Sequence, residues 1–496
     1  MYSYLKNITR HSAIYSIGSL AALLPGFILI PLYTRYFTPA EYGAITLVLL
    51  FSNVLMMFYE GGMVSALSRQ YFEYGEDDPS GRKAVASTSF LFVMSTAIIV
   101  SIPVFIFSGQ ISQLITSTDK YVNLVRIMSI STLFGAMSVI PQTLARLQQK
   151  SLLYICISIT MVLLSICLNV IFLVVFKMGV ESIFYANLIS VLAGTALFIS
   201  AMSGSLIPWK FSRRDLSAMV KFGMMLLPAA LMAWVIDYSG RYILEKLVNL
   251  HDVGVYSLGN KISQVMMMVV KAFIAAWFPV IFSIIEEKNS MQIFGNMFTY
   301  CIFGFAIFAM GISVFGREII RILCKGDYLE AYTVMPFITI SYMLFGAYLF
   351  FVSFLVMKKR FDTQCFLLLI AAGASVILNI LLIPVMGMMG CAVSAVISYA
   401  LLSFSTFKYV RLHYPIPIET GRILKMAVPM LVVIFIGSYI KIEPIVLAIV
   451  VKTFLIALYA AVLYKLGFFH KEEIAKLKSY FKRGRANLIE RFSGEL

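Results

Sequence analysis

A few charged side chains sit inside stretches of this 496-residue sequence that are otherwise strongly apolar: Lys261, Lys271, Arg126 and Lys452 are basic, Asp237 and Glu60 acidic. A charge in lipid is costly enough that it persists only with a partner, water or a ligand. The basic members suit an anionic cargo such as a diphosphate, because each brings hydrogen-bond donors together with a full charge. Lys261 and Gln264 are three residues apart and Lys271 follows seven later, a spacing that puts all three on one broad face of a helix. The carboxylates suit a different chemistry. In a water-filled cavity, Asp237 or Glu60 could exchange a proton or a sodium ion as two states interconvert. Each residue also has a plainer use. Lys261 and Arg126 lie near enough to span ends to snorkel, and Lys452 faces a helix of unassigned packing. Asp237 precedes Arg241 by one helical turn and can pair with it, while Glu60 can meet Arg69 or water.

Other chemistries find little support. His11, His251, His413 and His470 fall near span ends or in loops, which leaves none deep in the membrane for acyl transfer. The six cysteines lie in or beside apolar stretches without C-x-x-C pairs or metal-ligand spacing, and read as small packing residues. No Gly-rich nucleotide motif occurs. The outer segment richest in charge, Gly316 to Glu330, is short for a polymerase or glycosyltransferase loop; its Arg317, Glu318, Arg321, Lys325, Asp327 and Glu330 read mostly as a solvated face. No catalytic residue, metal site or cofactor is expected.

The elements that must position these charges are membrane helices. Of the residues, 60% are hydrophobic and only 13% charged, and about 14 apolar stretches of about 20 residues follow one another along the chain. The expected spans are 12–34, 41–66, 84–108, 121–145, 151–176, 181–203, 216–240, 253–281, 293–315, 331–357, 362–385, 388–410, 423–440 and 444–465. A net charge of +16 could suggest nucleic acid, but most Lys and Arg fall on one side of this arrangement, as in Arg82-Lys83, Arg213-Arg214 and Lys358-Lys359-Arg360. The charge is thus a topology signal: both termini are expected in the cytoplasm, with no nucleic-acid partner. From 466 to 496, apolar residues interleave with Lys and Arg in the manner of a basic amphipathic helix lying on an anionic leaflet.

The chain also repeats itself at an interval of roughly 203 to 211 residues. Arg35-Tyr36 leaves the first span as Arg241-Tyr242 leaves the seventh; Asn169 with Met178-Gly179 answers to Asn379 with Met386-Gly387; Pro25 and Pro228 interrupt comparable spans. A six-span repeat is even, so its copies enter the membrane in the same direction, related by an axis along the membrane normal. The expected fold is therefore an all-α polytopic membrane protein. Its expected parts are a six-helix lobe at 1–210, a second at 211–415, two extra helices at 416–465 and the tail at 466–496.

These residues resemble a known family. Pro31-Leu32-Tyr33-Thr34-Arg35-Tyr36-Phe37 with Glu41-Tyr42-Gly43, then Arg69-Gln70-Tyr71-Phe72, Leu168-Asn169 to Gly179, and Leu378-Asn379 to Gly390 are similar to bacterial polysaccharide biosynthesis transporters. These are the O-antigen and capsule flippases of the multidrug/oligosaccharidyl-lipid/polysaccharide exporter superfamily. The resemblance implies two lobes around a cavity that opens alternately to either side of the bacterial inner membrane, moving an oligosaccharide linked to polyprenyl diphosphate. It further implies membrane lipid and polysaccharide assembly proteins as partners. The substrate-binding candidates are then Lys261, Lys271, Gln264, Arg126 and Lys452, and the ion-coupling candidates Asp237 and Glu60. A multidrug or small-cation exporter is the first alternative, disfavoured by basic rather than acidic cavity candidates. A polytopic glycan-modifying enzyme is the second.

Overall fold

The computed structural model describes residues 25–75, 77–206 and 210–469. Helices account for nearly all of it, with no strand among the described residues. In chain order they are α1 (Pro25–Ile28), α2 (Ile30–Tyr36), α3 (Pro39–Glu60), α4 (Met63–Glu73), α5 (Pro79–Ile106), α6 (Ser108–Thr116), α7 (Val122–Leu147), α8 (Ser151–Val170) and α9 (Glu181–Met202). The second half contributes α10 (Arg213–Leu247), α11 (Leu250–Ile284), α12 (Ser290–Val314), α13 (Gly316–Leu323), α14 (Ala331–Met357), α15 (Phe361–Met386), α16 (Met388–His413), α17 (Thr420–Tyr439) and α18 (Ile445–Lys465). Thirteen of the described segments are long and apolar enough to cross a membrane, counting α3 with α4. The expected span 12–34 and the tail at 466–496 lie mostly outside the described residues.

Successive spans alternate in direction and define two ends of the bundle. The turn between α10 and α11 lies at the upper end with Phe37–Thr38, and the turns between α7 and α8 and between α14 and α15 lie at the lower end. Several helices start on identifiable local signals. Thr38 and Glu41 form a reciprocal capping box ahead of Pro39, satisfying donors that the first turn of α3 leaves free. Ser212 caps α10 and Asn249 caps α11 in the same sense, each accepting from an aspartate N–H. The expected span 41–66 is broken, because Gly61 and Gly62 both take left-handed φ, +53° and +73°. That conformation suits glycine, which has no side chain to clash.

The repeat is visible in local geometry. Asn169 and Asn379 each donate Nδ2 to the carbonyl of the serine four residues earlier, Ser165 and Ser375, at 2.8 Å in both. Gly179 and Gly387 follow them with left-handed φ. Buried apolar residues gather into a large core drawn almost wholly from residues beyond Ile236 and two smaller cores drawn from Phe37 to Met219. A fourth joins Ile30 and Tyr42 to Val255, Leu258 and Tyr328 at the upper end.

The halves cross at two places where only glycine fits. A Cβ on Gly43 of α3 would strike the Leu250 carbonyl oxygen, and one on Gly254 of α11 would strike that of Pro39. Below, Gly62 and Gly223 of α10 oppose each other as closely. Hydrogen bonds from Tyr328 to the Phe37 carbonyl (2.9 Å) and from Tyr74 to both oxygens of Asp215 (3.0 and 3.1 Å) reinforce the upper and lower crossings.

Candidate functional site

Between these crossings lies a cavity of about 300 Å³, walled by α1 to α3, α8 and α9 on one side and by α10 and α11 on the other. Its polar lining includes Asn53, Asn187, Tyr238, Arg241, Lys261 and Gln264, and no Asp or Glu is among the lining residues. Asn169 also faces it, accepting from the Tyr33 hydroxyl at 2.8 Å.

Arg241 dominates the electrostatics. It is 4% exposed, lies over the rings of Tyr238 (5.2 Å) and Tyr256 (5.6 Å), and its Nε has no hydrogen-bond partner among the described residues. Aromatic faces ease the burial of a guanidinium but do not neutralise it. Lys261 is half-buried close by, with its ammonium 5.5 Å from the centre of the Phe27 ring and against Gly26, whose missing side chain makes room for it. Gln264 sits one turn along α11 and reaches Asn260 Oδ1 at 3.5 Å, which also accepts from Tyr342. Two cations set among amides and hydroxyls, with no carboxylate among the described lining residues, make a site complementary to an anion.

The other candidates fall elsewhere. Lys271 is ten residues beyond Lys261, about 15 Å at the rise of a helix; it is exposed and does not line the cavity, though its charge and that of Arg241 both act on Asp237. The expected ion pair of Asp237 with Arg241 is not formed: the aspartate instead accepts a hydrogen bond from Tyr399 of α16, and Arg241 turns to its tyrosines. Glu60 ends α3 at the Gly61–Gly62 break, where the charge of Arg146 reaches it; Arg69 is not its partner, since that side chain pairs with Glu73 at 3.2 Å. Arg126 is exposed, donates to Ser108 Oγ at 2.9 Å and does not reach the cavity.

Lys452 is fully buried in α18 and bound three times, by Glu318 Oε1 (2.9 Å), Glu318 Oε2 (2.7 Å) and the Val314 carbonyl (2.8 Å). The reading of Gly316 to Glu330 as mostly a solvated face holds for Lys325, Asp327 and Glu330, which are exposed, and is corrected for Arg317 and Glu318. Arg317 and Glu318 are buried, and Arg317 and Arg321 hold Glu443 from the turn before α18 at 3.5 and 3.4 Å. The segment ties the two extra helices to the second half.

Residues 32–332 match the sequence model of a family described as polysaccharide biosynthesis protein. No curated protein sequence matches the chain. Among solved structures, the chain is similar to a lipid II flippase MurJ in an inward closed conformation, with 18% identity, 91% of this chain and 99% of that one covered, and a TM-score of 0.70. It is also similar to an inward-facing multidrug resistance MATE family transporter of the MOP superfamily (13% identity, 80% and 94% covered, TM-score 0.67). The MATE transporter VcmN of Vibrio cholerae in its bent form gives 12% identity, 83% and 99% covered, and a TM-score of 0.59. At such identities the likeness establishes a shared fold.

Proposed function

The chain belongs to the polysaccharide biosynthesis protein family, and we propose that within it the chain is a flippase for an oligosaccharide carried on polyprenyl diphosphate. Arg241 carries this reading: a buried guanidinium on a cavity wall, paired with no carboxylate among the described residues, is arranged for an anion that arrives and leaves. A diphosphate would sit between Arg241 and Lys261, and the amides and hydroxyls of Asn53, Asn187 and Gln264 offer partners for a polar head. The residues before and after position 210 then act as two lobes that part alternately at the Gly43–Gly254 and Gly62–Gly223 crossings, where closely apposed backbones can separate without unlocking large side chains. The basic lower end faces the cytoplasm of the bacterium, and the cargo feeds surface polysaccharide such as O-antigen or capsule. Asp237 is the candidate for proton or sodium coupling, since it is near the cavity cations yet bound only by Tyr399 among the described residues.

The fold shared with MATE transporters raises a cation exporter as the second reading. A cationic drug would meet Arg241 and Lys261 with no carboxylate among the described lining residues, an unfavourable encounter. The two readings separate in cells: deletion of the gene should leave a lipid-linked glycan accumulating on the inner face of the membrane, and expression in a drug-sensitive host should give no resistance. Drug resistance without any change in lipid-linked glycan would replace the flippase reading with the exporter.

A further inference from the structure

The chain makes the same lower-end turn twice. Between α7 and α8, and again between α14 and α15, a non-glycine residue takes a left-handed φ of 55°, Gln149 in the first and Lys359 in the second. The next residue closes the turn in each: Lys150 donates its N–H to the Ala145 carbonyl at 2.9 Å, and Arg360 to that of Leu355 at 3.0 Å. Beside each turn is a pocket bounded by the chain at the end of a later span. In the first copy Gln148 and Ser205 line a pocket of about 200 Å³ and are joined directly, Gln148 Nε2 donating to Ser205 Oγ at 2.9 Å. In the second copy Lys358 and His413 stand in those places, no hydrogen bond joins them, and the pocket is about 430 Å³.

In the first copy glutamines stand at the positions of Lys358 and Lys359, Lys150 stands at that of Arg360, and Arg82 and Lys83 also line the pocket, so the charges of Lys358 and Lys359 are not required to make the turn. Lys358 has no carboxylate partner among the described residues, and the nearby Asp362 is taken by Arg360 at 3.4 Å. His413 Nδ1 lies 3.1 Å from the Tyr409 carbonyl, leaving Nε2 as the ring nitrogen able to meet a ligand. The walls are aromatic: the Tyr414 ring packs at a tilt against that of Phe354, and its hydroxyl is buried with no hydrogen-bond partner among the described residues. Leu412, the residue before His413, is 77% exposed.

We propose that this pocket binds a phosphate group, that of an anionic phospholipid headgroup at the lower face, between Lys358, Arg360 and His413. Basic side chains that line one pocket with Tyr409 and Tyr414 at a helix end, beside the exposed Leu412, suit a group that is charged at one end and apolar at the other. This site is separate from the central cavity and does not depend on the cargo.

The test uses the purified full chain in detergent, followed by its thermal midpoint during titration with dioleoyl phosphatidylglycerol, dioleoylglycerol or inorganic phosphate. The variant is Lys358→Gln with His413→Ser, which copies the hydrogen-bonded pair of the first turn. Saturable stabilisation by phosphatidylglycerol but not dioleoylglycerol, weakened about tenfold or more in the variant, is expected. Saturable, variant-sensitive stabilisation by inorganic phosphate alone would assign the site to a soluble phosphate compound and overturn the lipid source. Equal titrations of wild type and variant, or no saturable response to either phosphate probe, would overturn the site itself. Should the double variant fail to fold, Lys358→Gln alone, read by native mass spectrometry of bound phosphatidylglycerol, decides the same question.

Discussion

Arg241 and Lys452 are both buried cations in helices that cross the membrane, and they meet the cost of burial in opposite ways. Lys452 is saturated by a carboxylate and a carbonyl and anchors the last helix to the second half. Arg241 lies over two tyrosine rings on a cavity wall with no carboxylate paired to it among the described residues. A charge that is fully matched within the fold belongs to stability; one left unmatched beside an open volume belongs to a ligand.

The comparison breaks most readily at Lys452. Lys452→Met should strand Glu318 and lower stability by about 3–5 kcal/mol, while adding Glu318→Met should restore most of the loss. Thermal unfolding of the purified protein checks both, and an unchanged midpoint in the single variant would deny that the pair anchors α18. Arg241→Gln should do the reverse, cutting glycan export by about tenfold or more while leaving the thermal midpoint level or raised, because it removes an unpaired charge. Arg241→Lys should retain part of the export, since charge survives although the planar fork is lost.

Smaller effects sharpen the distinction. Asp237→Asn keeps an acceptor for Tyr399 and removes the charge, so export should persist at a reduced rate but lose its dependence on the ion gradient. Because Asp237 and Arg241 are not paired, adding Arg241→Gln should not rescue it; recovery in the double variant would mean that the two do pair during the cycle. Lys271→Ala should have the least effect, about twofold or less in export, since the side chain is exposed and away from the cavity wall. A loss as large as that of Arg241→Gln would place Lys271 on the cargo's path in another state of the cycle.

Much of the fold is legible in the sequence because the hydropathy of lipid-crossing helices is strong and the six-span repeat leaves asparagine and glycine signals in both copies. The site is legible only in part. Lys261 and Gln264 stand out as polar residues within an apolar stretch, and both line the cavity. Arg241 escapes notice as a cavity residue because hydropathy ends its span at 240, whereas α10 continues to Leu247 and carries the arginine inward. Its place in the repeated Arg-Tyr pair is the signal that points to it. Lys452 shows the opposite error: an intramembrane cation looks functional until its partner is known, and Glu318 lies in a segment that composition alone reads as solvated. The expected Asp237–Arg241 pair fails because helical spacing brings residues near each other without fixing which way long side chains turn; nearby aromatic rings and Tyr399 settle that here.

On the proposed function, Arg241 holds the diphosphate of a lipid-linked cargo. The most direct test of this role compares the affinities of wild type and Arg241→Gln for polyprenyl diphosphate, polyprenyl monophosphate and the free polyprenol. Wild type should prefer the diphosphate by about tenfold or more, and the variant should lose this preference while still binding the polyprenol. Equal wild-type affinities for all three, or a preference that survives Arg241→Gln, would contradict it.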